Sequence, residues 1–289
     1  MNEVGRKGLN DFGIRVFVFF SSKVECRVMK KQKAFTLIEL LVVIAIIAVL
    51  MAILMPGLQR AKKQVQGIVC RNNLKQYGVA ARMYLDDHEA TFPRSFNWLF
   101  KNGGTSCEWH DASKDLNMHP ELAGSLWPYL KDKDIHLCPT FKTVALMMGC
   151  YRCNGVTIPI VPQYGYSMNS YLHGDAWGAV PSQYQLAIKN LKLEGQVKNP
   201  SRVFFFSEEN TWRIQGLSGA GVNDTNLRST PNCTTDCFAT FHNPPGGDLN
   251  QGTANAVFVD MHVDVVSAYP AGNTFIMSWP GGPPFPTGF

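Results

Sequence analysis

An uninterrupted apolar segment near the N-terminus constrains this chain more than any other feature. Every residue from Leu40 to Met55 is Leu, Val, Ile, Ala or Met. Counted from Leu37, the segment has 19 residues, which span about 28 Å as a helix, close to the thickness of a bilayer's hydrocarbon core. A basic cluster lies just before it, which predicts a cytoplasmic N-terminal end. We therefore expect one transmembrane helix at about 37–55.

Glu39 is the single charged residue inside this segment. A charged side chain within a membrane costs roughly 3 kcal/mol or more on insertion scales, so this carboxylate should have a partner or a purpose. A secretory signal peptide would have a shorter apolar core and a small-residue cleavage site. Here the apolar segment meets Pro56-Gly57 instead. A generic membrane anchor would explain the length of the segment but not Glu39.

Residues 34–47, AFTLIELLVVIAII, resemble the N-terminus of type IV prepilins and pseudopilins. The resemblance implies that prepilin peptidase cleaves between Ala34 and Phe35 and that Phe35 becomes N-methylated. It also implies assembly with copies of the chain and sibling pilin-like subunits on an inner-membrane platform. Glu39 would be the fifth mature residue and would act in assembly. Gly is usual before the cleavage site, and Ala34 departs from that pattern while remaining small.

The residues before the cleavage site should be absent from the mature protein. Residues 1–34 form the predicted leader. If translation begins at Met29, residues 1–28 reflect a start codon assigned too far upstream. The full chain has 27 basic and 22 acidic residues, of which the leader holds eight and three, leaving 19 of each. The mature chain is thus near neutral, and no nucleic-acid partner is expected.

A second helical stretch follows the apolar segment. Apolar and small residues recur at helical spacing from Leu58 to Asp87, which extends the predicted N-terminal helix over residues 35–91. Pro56-Gly57 should kink or loosen this helix, because Pro removes a backbone donor and Gly is a weak helix former.

A further resemblance lies beyond the apolar segment. Residues 70–78, CRNNLKQYG, are similar to a stretch of a pilin-like family whose C-terminal motif is written H-x9-DG. His242 fits the histidine of that motif, but a longer spacing separates it from Asp260, and residues 244–252 are interpreted as a loop insertion. Met261 stands where the family usually has Gly.

Residues 92–289 are predicted to form one globular head with a small antiparallel sheet, giving an α+β fold with a long hydrophobic N-terminal helix. Composition there shifts to Gly, Pro, Asn and aromatic residues. Strands are expected at 203–206, 256–259 and 263–266, the last two flanking a hairpin turn. We also expect short helices at 122–129 and 182–190 and irregular coil from Pro270 onward.

Seven cysteines remain once Cys26 is removed with the leader. The predicted topology places them in an oxidising compartment, where disulfides are the default. The candidates are Cys70, Cys138, Cys150, Cys153, Cys233 and Cys237. The resemblance favours a bridge from Cys70 to Cys138, because the family carries a Cys-Pro after its stalk. Cys150-x-x-Cys153 could instead be half of a zinc site or a redox motif, although no second Cys-x-x-Cys follows it.

The chain carries acidic and histidine side chains that could serve as acid–base groups or metal ligands. Their spacing matches no catalytic motif, so we expect no enzymatic activity. No cofactor is expected either, although calcium occurs in some pseudopilin heads, which makes an oxygen-lined site around Asp248 and Asp260 conceivable. The side chains in question are Glu208, Glu209, His242, Asp248, Asp260 and His262.

These inferences predict a structural subunit of a type IV pilus-like or type II secretion pseudopilus filament. The chain should cross the inner membrane once, contact the lipid bilayer, and place its head in the periplasm or on the cell surface. The alternative is a surface binding module that uses the pilin helix as an anchor and binds an extracellular polymer such as a polysaccharide. Stacking surfaces could come from tryptophans, although most should lie in the core: Trp98, Trp109, Trp127, Trp177, Trp212 and Trp279.

The motif predicts a definite mature N-terminus. In cells that contain prepilin peptidase, the chain should begin with N-methylphenylalanine at position 35. Intact-mass measurement and N-terminal sequencing check this, and Ala34→Gly, which restores the usual residue, should be cleaved at least as fast. A membrane-inserted chain that retains Ala34 in such cells contradicts the prediction.

Overall fold

A computed structural model describes residues 35–103, 107–153, 160–176, 178, 180–217, 224–233 and 236–286. By internal contacts the chain divides into two units, Met1–Ile53 and Leu54–Phe289. The predicted leader and Ala34 lie outside the described residues.

In the first unit, the described residues belong almost entirely to the start of helix α1, Leu37–Asp87. The most apolar 18-residue window of this helix has a mean hydropathy of 3.2, and none of that window is buried. Each side chain from Phe35 to Ile53 is exposed. A surface so apolar on all sides suits lipid or apolar neighbours rather than water, which is consistent with a membrane anchor.

In the second unit, only one face of α1 is buried. Helical structure continues through Pro56 and Gly57, and the first buried side chain is Cys70. From there the buried positions recur at spacings of three and four residues, as expected for one helix face packed on a core. They are Cys70, Asn73, Leu74, Tyr77, Gly78, Ala80, Ala81, Tyr84 and Leu85.

The core of the second unit is a five-stranded sheet with strand order β3-β1-β2-β4-β5. Neighbouring strands pair antiparallel except β1 and β3, which are parallel. A β-bulge between Phe204 and Phe206 interrupts the β2–β4 register. The strands are β1 Tyr166–Asn169, β2 Phe204–Glu208, β3 Asn226–Leu227, β4 Ala254–Phe258 and β5 Val263–Val266.

The predicted α+β fold is confirmed, with a mixed rather than purely antiparallel sheet. The three strands expected from the sequence are β2, β4 and β5, within two residues at each end. β1 and β3 are not among the predicted strands, because β1 alternates apolar and polar residues over only four positions and β3 has only two residues. The hairpin turn between β4 and β5 contains Met261 at φ 70°, a left-handed conformation that favours the Gly usual in the family.

Gly78 lets α1 approach the sheet closely. A Cβ at this position would lie 2.9 Å from Cγ2 of Val257 in β4, which is too near without a shift. One helical turn away, Lys75 Nζ donates a 2.9 Å hydrogen bond to the Met261 carbonyl oxygen in the β4–β5 turn. The helix thus packs directly on β4 and on the turn that follows it.

Short helices fill the rest of the second unit. α2 is Pro139–Met148, α3 is Ser182–Lys189 and α4 is Asn273–Ser278. The expected helix at 182–190 corresponds to α3. The one expected at 122–129 is instead part of a series of 3-10 turns, which are Glu108–His110, Ala112–Lys114, Pro120–Leu122, Trp127–Tyr129, Lys133–His136, Leu172–Gly174, Glu194–Gln196 and Pro245–Gly247.

The sequence predicts irregular coil from Pro270 onward, but this tail contains a helix, α4. α4 forms there because Phe275 and Trp279, four residues apart, both pack on Tyr171, with ring centroids at 6.1 and 5.5 Å. Gly272 precedes the helix at φ 87°, a conformation that Gly adopts readily. Burial of these two aromatic rings, one in α4 and one directly after it, offsets the Gly- and Pro-rich composition that predicts coil.

Tyr77 is the centre of the core beneath α1. Its ring lies within 5.6 Å, centroid to centroid, of the rings of Trp98, His136, Tyr166 and Phe206. Its hydroxyl lies 2.6 Å from Nδ1 of His136, whose Nε2 is 2.9 Å from the Leu130 carbonyl oxygen. The Nε2 tautomer therefore satisfies both contacts, with Tyr77 donating and His136 neutral.

Burial lowers the pKa of His136 to about 4. In the unfolded chain its pKa is near 6.5, so between these values the unfolded state binds a proton that the folded state does not. Taken alone, His136 should therefore lower the free energy of unfolding by roughly 3 kcal/mol as the pH drops from 7 to 4.

The control is His136→Asn, which keeps an acceptor for Tyr77 but does not titrate. Buried Asp224 and Asp236, whose pKa values burial raises to about 7 and about 6, act in the opposite sense in both proteins. Denaturant unfolding of the full chain in detergent should show a gap between wild type and variant that narrows as the pH falls. A gap independent of pH would refute the assignment.

Candidate functional site

The N-terminus of α1 is closed by a capping box. Thr36 is the residue before the helix, and Oε2 of Glu39 accepts hydrogen bonds from its amide nitrogen at 2.9 Å and its hydroxyl at 2.8 Å. In return, Thr36 Oγ1 accepts a 3.3 Å hydrogen bond from the Glu39 amide. The pair satisfies two backbone donors that the first turn of a helix would leave free. Glu39 therefore has a role inside its own chain, which sequence reasoning missed although Thr-x-x-Glu is the sequence signature.

Phe35 lies next to this cap, outside the helix, and 72% of its surface is exposed. Oε1 of Glu39 makes none of the hydrogen bonds found among the described residues. One oxygen of the carboxylate thus serves the helix, and the other remains available to a donor from elsewhere.

A disulfide joins α1 to the head. Cys70, the first buried residue of the helix, is bonded to Cys138, which directly precedes α2. The two Cα atoms are 4.9 Å apart, and both side chains are fully buried. The bridge closes a loop across a sequence separation of 68, so it fixes the helix against a distant part of the chain.

Glu208 and His242 form a buried polar pair beside this disulfide. His242 Nε2 lies 2.9 Å from Glu208 Oε1 and 3.5 Å from Sγ of Cys138. The other oxygen of Glu208 accepts hydrogen bonds from the backbone and side-chain nitrogens of Asn255, at 2.7 and 3.0 Å. The two side chains thus hydrogen-bond to each other and to strand β4, an arrangement that stabilises a buried core.

His242 also closes the loop that follows it. Its backbone nitrogen donates to the Thr253 carbonyl oxygen at 3.0 Å and its carbonyl accepts from Thr253 at 2.7 Å. Residues 243–252 therefore leave and return at the same point, as expected of a loop insertion.

The remaining acidic candidates form hydrogen bonds with neighbouring groups of the protein. Glu209 is buried and contacts the Ser167 hydroxyl, and burial raises the pKa of its carboxyl group. Asp248 accepts from Asn250, and Asp260 accepts from His262, each within its own turn. In the described part of the chain, neither Asp248 nor Asp260 belongs to a group of three or more converging ligand side chains. The calcium site stays a prediction.

The other candidate cysteines divide into one disulfide and one pair of free thiols. Cys233 is bonded to Cys237, but Cys150 and Cys153 are free thiols. Both lie beside a third free thiol, that of Cys107, with His110 next to it. Sequence reasoning examined only the region after Cys153 for a partner motif and missed Cys107-x-x-His110, which lies before it.

The tryptophans do not form an exposed stacking surface in the described part of the chain. Trp98, Trp109, Trp212 and Trp279 are buried and Trp127 is half-buried. Trp177 lies outside the described residues. The expectation that most belong to the core is met by the four buried rings.

Two comparisons identify the N-terminal part of the chain. A family profile described as "Prokaryotic N-terminal methylation motif" matches residues 29–55. The chain is also 44% identical over 62 residues to the type IV wide pilus major component PilA4 of Thermus thermophilus, a match that covers 22% of this chain and 47% of that relative. The chain thus spans about half the length of the curated relative it matches. No solved structure matches it.

The predicted recognition is confirmed at this level: the N-terminal part of the chain is type IV prepilin-like and carries the methylation motif. Neither match identifies an H-x9-DG domain or a type II secretion system, and both of these stay predictions.

The Cys70–Cys138 bridge should carry much of the stability of the second unit. Replacing both residues with Ser should lower the free energy of unfolding by about 2–4 kcal/mol, because the unfolded chain regains the freedom of a long loop. The matched control is Cys233→Ser with Cys237→Ser, whose sequence separation is only 4 and whose effect should be smaller. Denaturant unfolding of the full chain measures both, and an equal or reversed order would contradict the prediction.

Proposed function

We propose that this chain is a structural subunit of a type IV pilus-like or type II secretion pseudopilus filament. It would be processed by prepilin peptidase and N-methylated at Phe35. The observation that carries the proposal is the methylation motif at residues 29–55, continuous with a helix whose apolar side chains are exposed on every face. The relative's printed name, a major component of a type IV wide pilus, supports the same role.

The exposed apolar helix explains why such a subunit would assemble. In the membrane, lipid covers the side chains of residues 37–55. Outside it, the same surface requires apolar neighbours, and copies of this helix or of sibling pilin-like helices would provide them. The lipid bilayer is thus the partner before assembly, and other subunits are the partners afterwards.

The topology that fits is a single pass through the inner membrane with the head in the periplasm or on the cell surface. The basic cluster before Phe35 favours a cytoplasmic N-terminal end. The two disulfides fit an oxidising compartment for the head. Prepilin peptidase and the inner-membrane assembly platform would act on the membrane-inserted form.

A structural role is also supported by how the polar candidates are used. Glu208 and His242 hydrogen-bond each other and the strands around them, and the buried tryptophans supply core packing. We therefore propose a non-enzymatic head, and no observation on the described residues favours the polysaccharide-binding alternative.

Glu39 would then act twice. Within its chain it caps α1 through Oε2, and Oε1 remains for the amine of Phe35 in a neighbouring subunit. Removing one partner of a buried charge pair costs about 3–5 kcal/mol, whereas losing an N-cap costs about 1 kcal/mol. The charge should therefore matter more for assembly than the cap.

Three variants separate these two roles. Glu39→Ala loses cap and charge, Glu39→Gln keeps the capping box but loses the charge, and Thr36→Ala weakens the cap but keeps the charge. All three should insert and be cleaved. Both Glu39 variants should yield at least about ten times less sheared or cross-linked polymer, given the cost of an unpaired buried charge. Thr36→Ala should polymerise almost normally.

The outcomes point to different conclusions. Normal polymer from Glu39→Gln would show that the charge is not needed and that the carboxylate serves the helix alone. Normal polymer from Glu39→Ala would remove both roles and strengthen the surface-display alternative. Membrane-fraction abundance of each variant shows that insertion is equal.

A further inference from the structure

Four potential metal ligands converge in the head from two short motifs. Cys107-x-x-His110 lies in the connection before α2, and Cys150-x-x-Cys153 lies just after the end of α2. The three sulfur atoms and one ring nitrogen all lie within 4.8 Å of one another. Two such pairs from distant parts of a chain are typical of four-coordinate zinc sites.

Two of the three shortest contacts between these ligand atoms have lengths close to those of a tetrahedral site. With Zn–S near 2.3 Å and Zn–N near 2.0–2.1 Å, ligand atoms of a tetrahedron lie about 3.8 Å (S to S) and about 3.6 Å (S to N) apart. Sγ of Cys107 is 3.6 Å from Sγ of Cys150, and Sγ of Cys153 is 3.4 Å from Nε2 of His110. The sulfurs of Cys107 and Cys153 are nearer, at 2.6 Å, so a bound ion would separate them.

We propose that Cys107, His110, Cys150 and Cys153 bind one Zn²⁺ as a structural site in the head. Three thiolates and one imidazole are soft and borderline ligands, which select zinc over calcium and magnesium. The site does not depend on the proposed filament role, since it would stabilise the head in any of the alternatives.

The cysteine inventory supports this assignment. Of the seven cysteines after the cleavage site, four form the two disulfides and three remain, and all three are in this cluster. Three neighbouring thiols cannot all form disulfides with one another. A metal ion accounts for all of them, together with the histidine.

The surrounding structure holds both motifs in place. Trp109, between two ligands, is buried, packs on Phe141 of α2 at 5.6 Å, and accepts a backbone hydrogen bond from Gln163. Tyr151, between the other two, donates its amide to the Thr211 carbonyl and carries Arg213 4.5 Å above its ring. These contacts would keep the ligands close before the metal binds.

The position of the site explains what it would do. The Cys70–Cys138 disulfide secures the beginning of α2, and the zinc site would secure the chain just after the end of α2 at Met148. Cys150 and Cys153 are half-buried, which leaves a path for the ion from the surface. The metal would thus fix the second end of a helix that a covalent bond already holds at the first.

The test is the metal content of the full chain, purified in detergent with a tag that does not bind metals. Wild type should contain about one zinc ion per chain by mass spectrometry, and Cys150→Ser with Cys153→Ser less than about a tenth of that. The matched control, Cys233→Ser with Cys237→Ser, should retain the full amount. Thiol mapping after chelation should find Cys107, Cys150 and Cys153 all reduced.

Cobalt provides a second readout that does not require removal of a thiol. Chelated wild-type protein titrated with Co²⁺ should show the visible absorption of a tetrahedral ion and thiolate-to-cobalt charge transfer. His110→Cys should still bind the ion and raise that charge-transfer band by about a third, because four thiolates replace three.

Three results would overturn the proposal. One is a disulfide between any two of the three thiols in the isolated protein. Another is less than about a tenth of a zinc ion per chain even after reduction and addition of Zn²⁺. The third is zinc that remains bound at the wild-type level in Cys150→Ser with Cys153→Ser. If that double variant does not accumulate, the wild-type zinc content and the His110→Cys spectrum decide.

Discussion

Burial of one face of α1 is the interaction on which the second unit depends. From Cys70 to Leu85, each turn of the helix adds side chains to the core, and Tyr77 contacts rings from three separate parts of the head. The helix carries its own backbone hydrogen bonds, so it can present this face without help from the sheet. The short strand β1 packs against the helix through Tyr166, and this contact stabilises it, since a small sheet has little independent stability.

The same helix has to suit two surroundings. Residues up to Met55 are apolar on all sides, whereas those after Cys70 are apolar on one side only. A lipid or filament environment favours a helix that is apolar on all sides. An aqueous compartment with a folded head favours a helix that is apolar only on the side facing the head. The cysteine at the boundary is also the first buried residue, and its disulfide strengthens the contact at the point where the helix enters the head.

Much of this could be predicted from sequence, for physical reasons. The extent of α1 and the positions of β2, β4 and β5 follow from hydrophobic period, which is a local signal. The strands β1 and β3 and helix α4 could not be predicted in this way, because tertiary contacts of Asn, Ser and a few aromatic rings determine them. At the sites, Thr36-x-x-Glu39 and Cys107-x-x-His110 were both visible as motifs. The convergence of the second motif with Cys150 and Cys153 required the fold, since the two are separated by α2.

The capping box has a further consequence for access by a protease. It sets the first helical residue at Leu37, so the backbone at Phe35 and Thr36 precedes the hydrogen-bonded helix. Enzymes that cut peptide bonds need an extended backbone in their active site, and unwinding an apolar helix in lipid is costly because its amides lose their only partners. Because the helix begins at Leu37, the Phe35 backbone lies outside its hydrogen-bonded turns, and a cut before Phe35 would break none of the helical hydrogen bonds. Glu39 would thereby mark where hydrolysis can occur as well as where the helix begins.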